Sequence, residues 1–195
     1  MAQQTTQKRG AAVGAQEAEP ALSDNEGSLL ALVLRRQPVT AYQLLKIYEQ
    51  SPVSSFNESK GSLYPLIRRM KGRGLLAASP VAGDGRGAEE LRCTAAGQDA
   101  ARCWAKTVKP QHILPDDPLR TKAISLGLLD ADERRAWIST ARALTLAKAA
   151  EVEAYLVGLE LPFRGAIEEN AAGALRERLR WLDRVEDELG RDSAA

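Results

Sequence analysis

Along most of this chain the apolar positions recur at helical spacing. Ser28-Leu29-Leu30-Ala31-Leu32-Val33-Leu34 is nearly all apolar and predicts a largely buried helix. Ser23 or Asp24 caps it, Glu26 suits its first turn, Arg35-Arg36 suit its last, and Pro38 stops it. Thr40 caps a second helix over 41–50, with Tyr42, Leu44, Leu45, Ile47 and Tyr48 available for a core, and Ser51-Pro52 breaks it. After a loop, Asn57 or Ser59 opens a third helix in which Leu63, Leu66, Ile67 and Met70 share one face. Gly72 and Gly74 end that helix. Two segments, 75–79 and 89–94, read as strands joined by the flexible turn Gly83-Asp84-Gly85-Arg86-Gly87. Thr94 then caps a fourth helix over 95–109, ended by Pro110.

The second half is helical throughout. Residues 110–118 carry Pro110, Pro115, Pro118, Asp116 and Asp117 and read as a linker. A short helix over 119–126 follows. Asp130 with Glu133 forms a capping-box variant opening a long helix over 131–159. Trp137, Ala141, Leu144, Lys148, Val152, Tyr155 and Leu159 recur there at gaps of three and four, a coiled-coil-like stripe interrupted by Lys148. Leu161-Pro162-Phe163 and Gly165 turn the chain into a last helix over 166–189. Ala171, Leu175, Leu179, Leu182 and Leu189 lie on one side of it, with Trp181 beside them. Two long helices with narrow apolar stripes need further surface to close a core. A second copy of the chain supplies it most economically; packing back onto the first half is the alternative.

These elements define a mainly α fold. Residues 1–21 are polar and aperiodic, and read as a disordered tail. Residues 22–109 form three helices, a two-stranded wing and a fourth helix, which is a winged helix-turn-helix. Residues 110–118 link it to a C-terminal helical dimerisation domain, 119–195.

Charge sharpens the picture. The net charge of +1 hides an asymmetry: residues 1–110 hold 15 Lys/Arg against 10 Asp/Glu, and residues 111–195 hold 12 against 16. A basic head on an acidic body suits a polyanion-binding module. The third helix concentrates that charge, because Lys60, Arg68, Arg69, Lys71 and Arg73 fall in a stretch without an acid. A basic helix pinned by an apolar stripe can present side chains to a DNA groove; a solvated surface helix shares the same pattern. One histidine and two distant cysteines, Cys93 and Cys103, offer no metal-ligand spacing, and no nucleophile or phosphate-loop motif is present. The expectation is a protein that is not an enzyme and takes no cofactor or metal. The cysteines read as packed residues, with a redox-sensing pair as the other reading. No signal-peptide core or membrane-length apolar run occurs, so a cytoplasmic protein is expected.

The run Ser59-Lys60-Gly61-Ser62-Leu63-Tyr64-Pro65-Leu66-Ile67-Arg68-Arg69-Met70, followed by Gly74-Leu75-Leu76, resembles the recognition-helix pattern of the PadR family of bacterial transcriptional regulators. The resemblance is strong over 28–109. It extends to Thr40-Ala41-Tyr42-Gln43-Leu44 at the second helix, where Ala41 replaces a usual glycine, and to Thr94-Ala95-Ala96-Gly97 after the wing. It is weaker in the C-terminal half. It implies a homodimeric repressor of a palindromic site on double-stranded DNA, relieved by a small aromatic or hydrophobic effector. By the same resemblance Tyr42, Gly61, Ser62, Tyr64 and Pro65 lie near DNA, flanked by Lys60, Arg68 and Arg69.

The wing departs from the family, whose Gly-Arg-Pro is followed by a basic residue and an aromatic. Here Arg86 is placed to touch a phosphate, but Glu89 and Glu90 follow and would repel one. Those acids are the best support for a second reading, a protein–protein adaptor that reuses a winged helix. For an effector, Trp104, Trp137 and Tyr155 are the aromatic candidates, and His112, Arg142 or Lys148 could pair a carboxylate; the aromatics read more simply as dimer-interface core.

Overall fold

The computed structural model describes residues 21–52, 60–82, 87–114, 116–157 and 159–192. Helix α1 (Asp24–Arg36) begins in a full capping box: the Glu26 N–H donates to Ser23 Oγ, and the Glu26 carboxylate accepts from the Ser23 N–H. A two-residue strand, β1 (Val39–Thr40), leads into α2 (Ala41–Gln50), where Thr40 and Gln43 form a second box. A 3-10 turn, Lys60–Ser62, leads into α3 (Leu63–Gly72). Strands β2 (Leu76–Pro80) and β3 (Glu89–Cys93) make the hairpin, and α4 (Ala95–Lys106) follows.

The core sits between α1 and the elements around it. Leu29, Leu30, Val33, Leu44, Leu63, Met70, Leu75 and Leu91 are essentially inaccessible. Each such side chain contributes roughly 1.5–3 kcal/mol by leaving water. On α3 the buried residues are Leu63, Leu66, Ile67 and Met70, the four that the spacing assigns to one face. Pro65 falls in the first turn of α3, where a missing N–H costs no helical bond.

The sheet has three strands rather than the expected two. Its order is β1-β3-β2, antiparallel, with Val39 opposite Leu91 and Leu76 opposite Cys93. Two residues carry no readable alternation, and Thr40 is spoken for as a helix cap, so β1 leaves no trace in the periodicity. The start of α3 also differs. Ser62 precedes it without a side-chain cap bond, while the expected caps Asn57 and Ser59 lie outside the described residues.

Helix α4 stops at Lys106, short of the expected 109, and a 3-10 turn, Pro110–His112, follows. The expected linker is pinned at both ends. Lys109 N–H donates to His112 Nδ1 (3.2 Å), and His112 Nε2 meets the Asp24 carboxylate (3.2 Å), which also accepts from the Trp104 indole N–H (3.0 Å). At the far end Asp117 caps α5 (Pro118–Ala123) and pairs with Arg178 at 2.9 Å.

Helix α6 (Ala131–Leu156) opens on the Asp130/Glu133 box and runs antiparallel to α7 (Arg164–Asp192). Arg142 joins them through Asp183 (2.6 Å) and Glu186 (2.9 Å), and Trp137 meets Trp181 edge to face, 6.4 Å between centroids. The buried side of α6 is Ile138, Ala141, Thr145, Val152 and Leu156. This corrects the expected stripe, which is rotated by about one residue: Leu144 is 67% exposed, and Leu159 lies past the helix end. An alanine-rich helix offers neighbouring stripes of similar apolarity, and contact with α7 selects one. No helix among the described residues is long and apolar enough to cross a membrane.

Gly97 shows how tightly α4 docks. A Cβ there would lie 2.0 Å from the Leu75 carbonyl oxygen. Gly97→Ala is expected to destabilise the fold by roughly 3 kcal/mol through this backbone clash. Gly173→Ala on α7, where a Cβ meets only ordinary contacts, the nearest at 3.7 Å, is expected to stabilise by about 0.5–1 kcal/mol. Urea denaturation of the two variants checks both signs.

Candidate nucleic-acid interface

Because its apolar stripe is buried, α3 must turn its other side outward. Gly61, Tyr64, Pro65, Arg68 and Arg69 are exposed there, and Ser62 is half-buried. Tyr64, Arg68 and Lys71 form one wall of a groove of about 400 Å³, whose other walls are Thr40–Tyr42 and the wing strand at Glu89 and Leu91. Tyr42 (61% exposed) and Tyr64 (49%) stand at its rim, and Lys46 Nζ lies 5.5 Å from the Tyr42 ring centroid. Of the residues expected near DNA, Tyr42, Tyr64 and Arg68 line this one groove; Gly61 and Pro65 are exposed and Ser62 half-buried at the start of α3, and Arg69 turns toward Glu26. The Lys60 side chain and Arg86 lie outside the described residues.

The basic residues of this stretch divide by partner. Arg68 makes no ion pair among the described residues. Lys71 pairs with Glu89 across to the wing (2.5 Å), so this acid is neutralised rather than facing the groove alone. Arg69 Nε (3.0 Å) and Arg73 Nη1 (3.4 Å) both reach Glu26 Oε1 on α1. Sequence reasoning missed this role of Glu26: it saw a first-turn acid and nothing linking it to a helix over forty residues away. Burial raises the Glu26 carboxyl, but the Ser23 N–H, Arg69, the Ser23 hydroxyl and Arg73 outweigh it and hold the group below its ordinary value.

The three aromatic candidates for an effector are not brought together. Trp104 lies between α1 and α4, its ring filling the space over Gly27. Trp137 packs on Trp181. Tyr155 borders a cleft of about 350 Å³ between the α6–α7 hairpin and the winged helix, with Leu32, Ile47 and Tyr48 opposite. The candidate carboxylate partners are engaged as well: His112 by Asp24, Arg142 by Asp183 and Glu186, and Lys148 by Glu151 (2.6 Å). Lys148 also donates to the Pro52 carbonyl and stands beside a larger cavity of about 680 Å³ lined by Val152, Ile167, Asn170 and Leu175. Both cysteines are free: Cys93 is buried, which pushes its thiol up to about 11, and Cys103 is exposed on α4. No group of metal-ligating side chains occurs among the described residues.

Residues 29–102 match the model of the transcriptional regulator PadR-like family. Solved structures similar in fold include Bacillus subtilis PadR in complex with operator DNA. That pair has a TM-score of 0.68 and 15% identity, covering 83% of this chain and 96% of that one. A PadR-like transcriptional regulator from Bacillus cereus has a TM-score of 0.64 and 15% identity, covering 89% and 98%. Bacillus subtilis PadR in complex with p-coumaric acid has a TM-score of 0.62 and 13% identity, covering 82% and 92%. No curated protein matches the sequence.

The Glu26 ion pairs give stability a defined pH dependence. A carboxyl held low in the folded state stabilises above the unfolded value and ceases to as pH falls through the folded one. Glu26→Gln is therefore expected to lower the urea midpoint at pH 7, and the gap to the unmodified protein is expected to close progressively below pH 4.5, the ordinary carboxyl value. A gap of constant size down to pH 3 would contradict this account.

Proposed function

We propose, on the premise that residues 29–102 form a PadR-like transcriptional regulator domain, that this protein is a homodimeric repressor whose α3 helices read a palindromic operator. The observation that carries the reading is the division of α3. Four buried residues fix its axis, and Tyr64 and Arg68 stand out on the opposite side beside Tyr42. In this reading Gly61, Ser62, Tyr64 and Pro65 approach base edges and phosphates at the start of α3, with Tyr42 from α2 alongside. Lys60, Arg68, Arg69 and Arg86 supply phosphate attraction. Residues 22–109 are the DNA-binding domain and 119–195 the dimerisation domain, and the protein acts in the cytoplasm without catalysis.

Dimerisation is supported by the apolar side chains that one chain leaves uncovered in its C-terminal half, among them Ile124, Leu128, Leu144, Val157 and Phe163. Two copies related by a twofold axis would place two α3 helices in successive major grooves, about one helical turn apart. A small aromatic or hydrophobic effector would act by favouring a geometry with the wrong spacing. The cleft beside Tyr155 suits such a ligand, because its walls belong to both halves. The adaptor reading rested on Glu89 and Glu90, and the pairing of Glu89 with Lys71 removes one of these two acids from its support.

Binding to duplex DNA from the region upstream of the protein's own gene, measured across a salt series, tests the reading. Tight, sequence-selective and salt-sensitive binding is expected. Arg68→Ala is expected to reduce the slope of log K against log salt by about one unit without relaxing sequence choice. Addition of phenolic acids is expected to release the duplex. No selective binding at moderate salt would contradict the regulator, and selective binding that no phenolic acid releases would contradict only the phenolic effector.

A further inference from the structure

Glu26 sits at an unusual crossing. Its Oε2 accepts from the N–H and the hydroxyl of Ser23, completing the cap of α1. Its Oε1 accepts from Arg69 Nε and Arg73 Nη1 on α3. The Glu26 side chain is itself 9% exposed, so its carboxylate is a fixed point rather than a solvated counter-ion. Arg69 is different: its side chain remains 55% exposed although its Nε is taken. A guanidinium carries five N–H donors in a planar fork. Fixing the Nε edge on one carboxylate oxygen also fixes the direction of the opposite Nη edge.

The place of Arg69 on α3 gives that direction a use. Successive residues turn by roughly 100° around a helix. Tyr64 and Arg68 therefore stand close together on the outward side, and Arg69 lies at its edge, on the flank facing α1. A helix seated in a major groove meets base edges with its centre and the sugar-phosphate walls with its flanks. A flexible arginine there would lose side-chain entropy on binding a phosphate, whereas one held at Nε has lost much of it already.

We propose that Glu26 is a positioning residue for DNA binding, which holds Arg69 by its Nε so that the exposed edge of the guanidinium meets a phosphate beside the groove occupied by α3. The inference rests on the DNA-binding reading above. It assigns to an acid of α1, which touches no DNA itself, a favourable effect on DNA affinity. Simple charge counting gives the opposite sign, because removing an acid near a polyanion should tighten binding.

The test is a double-mutant cycle on binding to the upstream duplex, with Glu26→Gln, Arg69→Ala and the pair. Gln preserves the capping-box acceptor of α1, and the helical circular dichroism of each variant verifies folding. Arg69→Ala is expected to reduce the salt slope by about one unit. Glu26→Gln is expected to weaken selective binding by about tenfold in the unmodified background and not at all in the Arg69→Ala background. Arg69→Lys, which keeps the charge and loses the fork, is expected to retain the salt slope and lose selective affinity. Tighter binding by Glu26→Gln, or an equal loss in both backgrounds, would overturn the positioning role while leaving the regulator reading intact. Should Glu26→Gln fail to fold, an unchanged salt slope in Arg69→Ala would overturn it alone. Absence of any selective binding by the unmodified protein would overturn both.

Discussion

A ten-residue helix is marginal in water, so everything that α3 presents to the outside depends on what it buries. Leu63, Leu66, Ile67 and Met70 anchor it against the core built on α1. That packing fixes the axis of α3 and its rotation about that axis, because turning it by one residue would expose Met70 and bury Arg69 or Arg73. The ion pairs reinforce the same choice from both flanks: Glu26 on the α1 side and Glu89 on the wing side. The exposed arc with Tyr64 and Arg68 is thus a consequence of apolar burial. It does not depend on the exposed residues contacting each other.

The C-terminal half solves a different problem. Helices α6 and α7 are long enough to hold shape, and they meet through a single line of buried residues, among them Ile138, Val152, Leu156 and Leu182, with one edge-to-face tryptophan pair and the Arg142 cluster. Much apolar surface stays outside the seam. The same hairpin meets the winged helix through Lys148 and the clefts beside Tyr155 and Ile167. Its contact with the winged helix is therefore made with α1, α2 and the residues that end α2, on elements other than α3.

What was legible in the sequence was local. The Asp130/Glu133 capping box and the Thr40 cap lie within one helical turn, and the four-residue stripe of α3 within three, so periodicity and capping chemistry find them. The family resemblance over 28–109 rests on the same local runs. What was not legible depends on partners far along the chain. Strand β1 exists because β3 accepts it, and the seam of α6 is chosen by α7. The linker is pinned by an Asp24–His112 contact spanning 88 positions, and Arg69 finds Glu26 across 43. The same limit separates Trp104, Trp137 and Tyr155, which share a residue class but no neighbourhood. For the candidate site this means that its outward face could be read directly, whereas the groups that orient that face could not.

Entry of the start of α3 into a DNA groove, as proposed above, can be tested with a tethered DNA-cleaving chelate. Gly61→Cys provides the attachment point, since a Cβ there meets nothing within 4 Å, Cys103→Ser removes the other exposed thiol, and cleavage is read only on tethered protein first shown to retain selective binding of the duplex. The account predicts strand cleavage inside each half of the bound site, in two clusters about one helical turn apart. Cleavage no different from that of the free chelate, or cleavage only outside the bound site, would contradict it.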